Sequence, residues 1–167
     1  MGRRVLGAHN MESKHTRMES HLIDGVLALD AGSITRALSF DERQGIRASI
    51  LSHRHFDHVR DPPALGLALR NTGVTVDIYG IQDTIEFVTA KLLDGSLFPD
   101  SLNFPSPENP TLRLHAVQFY QEFKVLDYTA MAVPVPHTVP AAGFQIASGD
   151  VRLFYTGDAT RGLSAAW

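Results

Sequence analysis

Cysteine is absent from this 167-residue chain. That single absence excludes disulfides, a thiol nucleophile and thiolate metal ligands. Any bound metal must be held by His, Asp, Glu or water. Long apolar runs are also missing: none approaches the roughly 20 residues needed to cross a bilayer. Arg3 and Arg4 near the start are not followed by the apolar stretch of a signal peptide. No membrane role is expected, and the cytoplasm is the expected location. Basic charge is not in excess either, since 15 Lys and Arg stand against 18 Asp and Glu, a net charge of -3. Binding a large polyanion rests on many Lys and Arg contacts, so a nucleic-acid polymer is not the expected partner.

What is present suits one globular domain, with 44% hydrophobic and 20% charged residues. Residues 1–20 are polar and aperiodic and read as a flexible tail, which places the domain over residues 21–167. Short apolar runs at 26–29 and 46–51 predict buried strands. A weak helix is expected over 39–44. Pro62-Pro63 followed by small and apolar residues predicts a helix with proline in its first turn, closed by Asn71 and Gly73. A β-rich run covers 74–79. Ile81, Ile85, Val88 and Leu92 form one apolar stripe at helical spacing, so a helix is expected over 81–93 with Gly95 as its stop. Prolines 99, 105, 107 and 110 mark an extended loop. Strands are then expected at 112–117, 123–126, 130–135, 143–147 and 151–155. The order mixes parallel crossovers with antiparallel hairpins.

The chemistry gathers at His53-Arg54-His55-Phe56-Asp57-His58. Three imidazoles and a carboxylate in one short run are costly to hold together unless a cation binds them, and His and Asp are the ligand types that suit zinc and similar divalent ions. The run follows the 46–51 strand, at the strand end where α/β proteins commonly build sites. Two later residues have similar settings. His137 follows an apolar strand and sits between Pro136 and Pro140. Asp158 closes Tyr155-Thr156-Gly157-Asp158. Singly, neither would be unusual, because a strand-end His is more often structural and Gly-Asp is usually a turn. Their weight comes from following the His run in order.

In this order the residues resemble the metallo-β-lactamase superfamily. Asp30 in Leu29-Asp30-Ala31-Gly32 looks like its first motif, His53 to His58 match H-x-H-x-D-H, and His137 and Asp158 look like the third and fourth. The resemblance implies an α+β fold, an αββα sandwich, with two divalent metal ions, zinc expected, at one edge. It assigns His53, His55 and His137 to the first ion, Asp57 and His58 to the second, and Asp158 as a bridge between them. Asp30 becomes a support residue that orders the ligand loop. Imidazole ligands leave an ion electrophilic enough to ionise a bound water near neutral pH, and Asp57 is the candidate to orient that hydroxide.

A late His expected on the second ion has no counterpart after His137. The expectation is therefore the N-terminal part of the sandwich, with an incomplete second layer and an incomplete second metal site. Such a chain is expected to be poorly stable, prone to associate through exposed edges, and weak in turnover. Without Cys, and with Asp158 at the bridging position, the resemblance favours branches other than the Cys-dependent antibiotic hydrolases. Leu29-Asp30-Ala31-Gly32-Ser33, Ser52 to His58 and Tyr155 to Asp158 look most like class II cyclic-nucleotide phosphodiesterases. The expected reaction is attack of metal-bound hydroxide on a small phosphodiester. The alternatives are thioester or lactone hydrolysis, or a non-catalytic metal-binding fragment. Arg54 and Arg60 are candidate phosphate partners, against the simpler reading of both as surface residues. Phe56 is either a pocket wall or a core anchor. His9, His15, His21 and His115 are expected to have no ligand role.

Overall fold

The computed structural model describes residues 1–160. The expected domain end at residue 167 lies outside the described residues. Two sheets organise the chain. The first has six strands in the order β1 (Arg3–Gly7), β2 (Ser20–Ile23), β3 (Leu27–Leu29), β4 (Ala48–Leu51), β5 (Val76–Ile81) and β6 (Leu112–Val117). Its first three strands pair antiparallel, and β3 through β6 pair parallel. The second sheet is an antiparallel meander of β7 (Glu122–Val125), β8 (Tyr128–Pro134), β9 (Ala142–Ser148) and β10 (Val151–Tyr155).

Parallel pairing requires crossovers, and helices supply them. Helices α1 (Ile34–Ala37) and α2 (Phe40–Gly45) lead from β3 to β4. Helices α3 (Phe56–Val59) and α4 (Pro62–Leu69) lead to β5, and α5 (Gln82–Lys91) leads towards β6. Ser39 caps α2 by accepting from the Glu42 N–H while the Glu42 carboxylate accepts from the Ser39 N–H, a reciprocal cap that fixes this short helix. Pro62 and Pro63 sit in the first turn of α4, where a missing N–H costs nothing.

Strands β2 to β4 of the first sheet are buried on both faces, which is why β3 and β4 read as apolar runs rather than alternating ones. Ala28, Leu51 and Ile78 face the helices and share a core with Leu65 and Leu69 of α4 and Val88 of α5. Leu27, Leu29 and Ile50 face the second sheet and pack on Phe144, Ile146 and Tyr155. Burying each large side chain contributes about 1.5–3 kcal/mol.

The expected elements appear with shifts of one or two residues at their ends. One expectation is corrected. Residues 1–20 are not a tail throughout, because Arg3–Gly7 pair with β2 and Leu6 is buried. The run is too polar for its strand to show: three of its five residues are exposed, as suits an edge strand. Strand β2 and the one-turn helices α1 and α3, the last inside the His run, are not among the expected elements. The α+β sandwich is present as one helical layer and two sheets. All five helices precede β6, and the described residues add none after it.

Four chain segments come together at one edge of the sandwich. They are the end of β3, the end of β4, the β8–β9 loop and the end of β10. Ala142 N–H donates to Ser52 O at 2.9 Å, and His53 bridges Ala141. This backbone seam joins the two sheets where the candidate ligands lie.

Candidate metal centre

Asp30 is fully buried at the end of β3 with a φ of 54°. That left-handed conformation is uncommon outside Gly and is tolerated by Asp. Its carboxylate accepts from Ser52 N–H at 2.7 Å, from Ser52 Oγ–H at 2.7 Å and from the Tyr155 hydroxyl at 2.5 Å, and it meets His58 Nδ1 at 2.6 Å. Burial alone would raise its pKa, but the facing His58 charge and these hydrogen bonds outweigh burial and hold it below the usual carboxylate value. Asp30 is therefore an anion, and His58 carries a proton on Nδ1. The histidine chemistry starts from that fixed tautomer.

His58 then turns Nε2 towards Asp57 Oδ2 and Asp158 Oδ1, each 3.4 Å away. Nε2 is buried and has no hydrogen-bond partner among the described residues. A buried nitrogen left unpaired between two carboxylates is costly in a protein interior and suits a cation. In the metal-free chain a proton is the available cation. Burial opposes it, but Asp30, Asp158 and Asp57 push the His58 pKa up to about 9.

The second convergence is of three imidazoles. His55 Nδ1 lies 3.0 Å from His53 Nε2 and 3.0 Å from His137 Nε2. His53 is fully buried, and its Nδ1 sits 3.0 Å from Ser52 Oγ. Because Ser52 Oγ–H is committed to Asp30, that oxygen accepts from His53 Nδ1–H, which leaves the His53 Nε2 lone pair aimed at the other rings. Burial, then the charge of His58 and the nearby rings, pushes the His53 pKa down to about 3. His55 is also lowered, chiefly by burial and His137. Neutral imidazoles with convergent lone pairs are what a divalent ion requires. His53, His55 and His137 form one group whose ligand atoms lie within 4.8 Å of one another, and His53, His58 and Asp158 form another. The two share His53, and the donor set of imidazoles and carboxylates fits divalent metals.

Two glycines make this approach possible. A Cβ on Gly32 would lie 1.8 Å from Asp57 O, so only glycine lets the β3–α1 turn lie against the ligand loop. Gly157 has a φ of +52°, and a Cβ there would lie 2.9 Å from Ser52 Oγ. Ala31 N–H donates to His58 O at 2.7 Å, and Asp61 N–H donates to Ala31 O at 2.8 Å.

The sequence-predicted residues divide into two sets. Asp30, His53, His55, Asp57, His58, His137 and Asp158 come together. Arg54 and Arg60 do not offer free guanidinium groups. Arg54 Nε lies 3.4 Å from Asp83 Oδ2, and its guanidinium stands over Phe87. Arg60 pairs with Glu12 and with Asp61. Phe56 heads α3 with 58% exposure, so it does not anchor the core. His115 pairs with Asp77 and stacks on Tyr79, away from the histidine cluster.

Ser52, Asp61 and Tyr155 were not singled out. Ser52 links Asp30 to His53. Asp61, 2% exposed, accepts from the backbone N–H and hydroxyl of Thr35 and so ties α1 to the ligand loop. Ser52 and Tyr155 stand inside the matched segments, next to residues that were singled out. Glu19 and His21, which reach the Tyr155 hydroxyl and ring, give no sequence signal.

Comparison with known proteins places this geometry. A family profile described as "Beta-lactamase superfamily domain" matches residues 21–163. No curated protein matches the chain. Among solved structures, the metallo-beta-lactamase fold protein YhfI from Bacillus subtilis superposes with a TM-score of 0.75 at 22% identity, over 93% of this chain and 61% of that one. Unliganded yeast PDE1 gives 0.78 at 12% identity, over 99% of this chain and 67% of that one. Human tRNase Z, short form, gives 0.64 at 15% identity, over 93% and 68%. The chain thus spans about two thirds of these proteins' length, and 61% in the case of YhfI. With the profile covering most of its residues and the fold shared, the chain belongs to the metallo-β-lactamase superfamily, a family of metal-dependent hydrolases.

Proposed function

We propose that the edge cluster holds two divalent ions, zinc being the best suited, and that it hydrolyses a small phosphodiester. The observation that carries the dinuclear part is that two ligand groups adjoin at His53, the second of them around the His58 Nε2 that has no hydrogen-bond partner among the described residues. His53, His55 and His137 would hold one ion. His58 and Asp57 would hold the other, with Asp158 between them. Ions held there supply an acidic water near neutral pH and positive charge for the oxygen of the scissile bond.

The chain's own residues do the rest. Asp57 would orient the attacking water and accept its proton. Asp30 keeps the His58 proton on Nδ1. Arg54 and Arg60, each paired with carboxylates, are not assigned to the substrate. The choice of phosphodiester draws on the pattern of residues 29–33, 52–58 and 155–158. Thioesters and lactones are the competing substrate classes, and a metal-binding chain without turnover is the competing role.

Turnover of bis(p-nitrophenyl) phosphate, a thioester and a lactone by the zinc-loaded chain separates these readings. The expected result is preference for the phosphodiester, lost in His137→Ala. Preference for either carbonyl substrate would overturn the substrate class, and metal uptake with no turnover would favour the binding role.

A further inference from the structure

Strand β10 and the turn that follows it reach both ends of the same imidazole. Near the end of β10, Tyr155 sends its hydroxyl 2.5 Å to Asp30 Oδ2, the oxygen that meets His58 Nδ1 at 2.6 Å. Three residues later, Asp158 Oδ1 stands 3.4 Å from His58 Nε2. The other donors to Asp30, from Ser52 and His58, belong to the first-sheet side of the seam. Among the hydrogen bonds to Asp30 from the described residues, that of Tyr155 alone comes from the second sheet.

The hydroxyl itself is held in place. Tyr155 is 8% exposed and packs in the inter-sheet core. Its oxygen lies 3.3 Å from Glu19 Oε1, which in turn meets His21 Nε2 at 2.6 Å. The His21 ring stands edge-on to the Tyr155 ring at 5.5 Å. A phenol has one proton. With Asp30 at 2.5 Å and Glu19 at 3.3 Å, that proton goes to Asp30, and His21 Nε2–H serves Glu19.

We infer that Tyr155 is a positioning residue that sets Asp158 and His58 in register across the two sheets. It does so by clamping β10 to the carboxylate that orients His58. This rests on the proposed dinuclear centre and goes beyond it by naming what aligns the second ion's ligands. His53, His55 and His137 do not depend on this clamp for their mutual contacts: His55 Nδ1 meets the other two rings directly. The inference therefore predicts selectivity. Loss of the hydroxyl should weaken the second ion and spare the first.

The test is titration of the metal-free full chain with Co2+, followed by its visible absorption, for the parent and for Tyr155→Phe. The parent is expected to show two binding steps. In Tyr155→Phe the weaker step should lose about tenfold or more in affinity, the usual effect of removing a group that orients a ligand, while the tighter step stays within about threefold. Both steps unchanged, or both weakened alike, would overturn the inference. Glu19→Gln touches the hydroxyl only from outside and leaves the Tyr155–Asp30 bond in place. It should keep both steps within about threefold of the parent, and a selective loss there as large as in Tyr155→Phe would overturn the clamp. If Tyr155→Phe does not fold without metal, the same comparison is made by chelator competition on the variant refolded with Co2+, where equal loss of both ions overturns it. A parent chain that takes up one ion or none overturns the dinuclear reading itself and this inference with it.

Discussion

Replacing Asp30 with Asn removes one charge and leaves the shape of the side chain almost unchanged. In the native site the carboxylate accepts from Ser52 N–H, Ser52 Oγ–H and the Tyr155 hydroxyl, and pairs with His58. An amide has one accepting oxygen. Its NH2 would face groups that are themselves donors, and the arrangement relaxes best if His58 moves its proton from Nδ1 to Nε2. That tautomer turns an N–H towards the space between Asp57 and Asp158, where a metal needs a lone pair. Breaking a fully buried ion pair from one side costs about 3–5 kcal/mol. For a chain of this size each kcal/mol lowers the melting temperature by about 2–4 °C. The expected fall for metal-free Asp30→Asn is therefore about 6–20 °C. Zinc affinity, measured by competition with a chelator, should drop about 10–100-fold. A melting temperature within about 3 °C of the parent, with unchanged zinc affinity, would refute the reasoning, since those magnitudes follow from the pair and its tautomer.

Other outcomes follow from the same geometry. Gly32→Ala forces a Cβ to within 1.8 Å of Asp57 O; it should lower stability by about 1–3 kcal/mol or more and weaken metal binding, as read by melting and chelator competition. Phe144→Ala, in the inter-sheet core, should cost about 3–5 kcal/mol by denaturant titration. The metal-free chain should be most stable near pH 6.5. His58 is raised from 6.5 to about 9, so its contribution is complete below 6.5 and lost as pH rises through 9. His53 is lowered from 6.5 to about 3, so its contribution is complete above 6.5 and lost as pH falls towards 3. Melting temperatures across this range check both limbs, and saturating zinc should flatten the alkaline one. Affinity for the second ion should rise about tenfold per pH unit between 6.5 and 8, because one proton leaves His58 for each ion bound.

Much of this centre was legible in the chain itself. His53, His55, Asp57 and His58 announce themselves because their ligand chemistry is concentrated in six residues. His137 and Asp158 were found from their order and their strand-end settings. The strands of the second sheet were legible because their apolar runs end at turn residues such as Gly149, which has a φ of 56°. What the chain concealed depends on partners distant in sequence. β1 is an edge strand whose residues are mostly exposed, so its pairing with β2 leaves little apolar pattern. Tyr155 looks like any core aromatic until Asp30, 125 residues away, is brought to its hydroxyl. Arg54 and Arg60 lie beside the ligands in sequence, but Asp83, Glu12 and Asp61, placed by the fold, draw both guanidinium groups into other pairs.

Two divalent ions at the edge cluster, one on His53, His55 and His137 and the other on Asp57 and His58 with Asp158 between them, are the core of the proposed function. Metal content of the full chain, after zinc loading and removal of excess, tests it most directly when read by elemental analysis beside His53→Ala. Two zinc ions per chain are expected in the parent, and loss of at least the ion held by His53, His55 and His137 in the variant. A parent that retains one zinc ion or none, or a His53→Ala chain that retains as much as the parent, would contradict it.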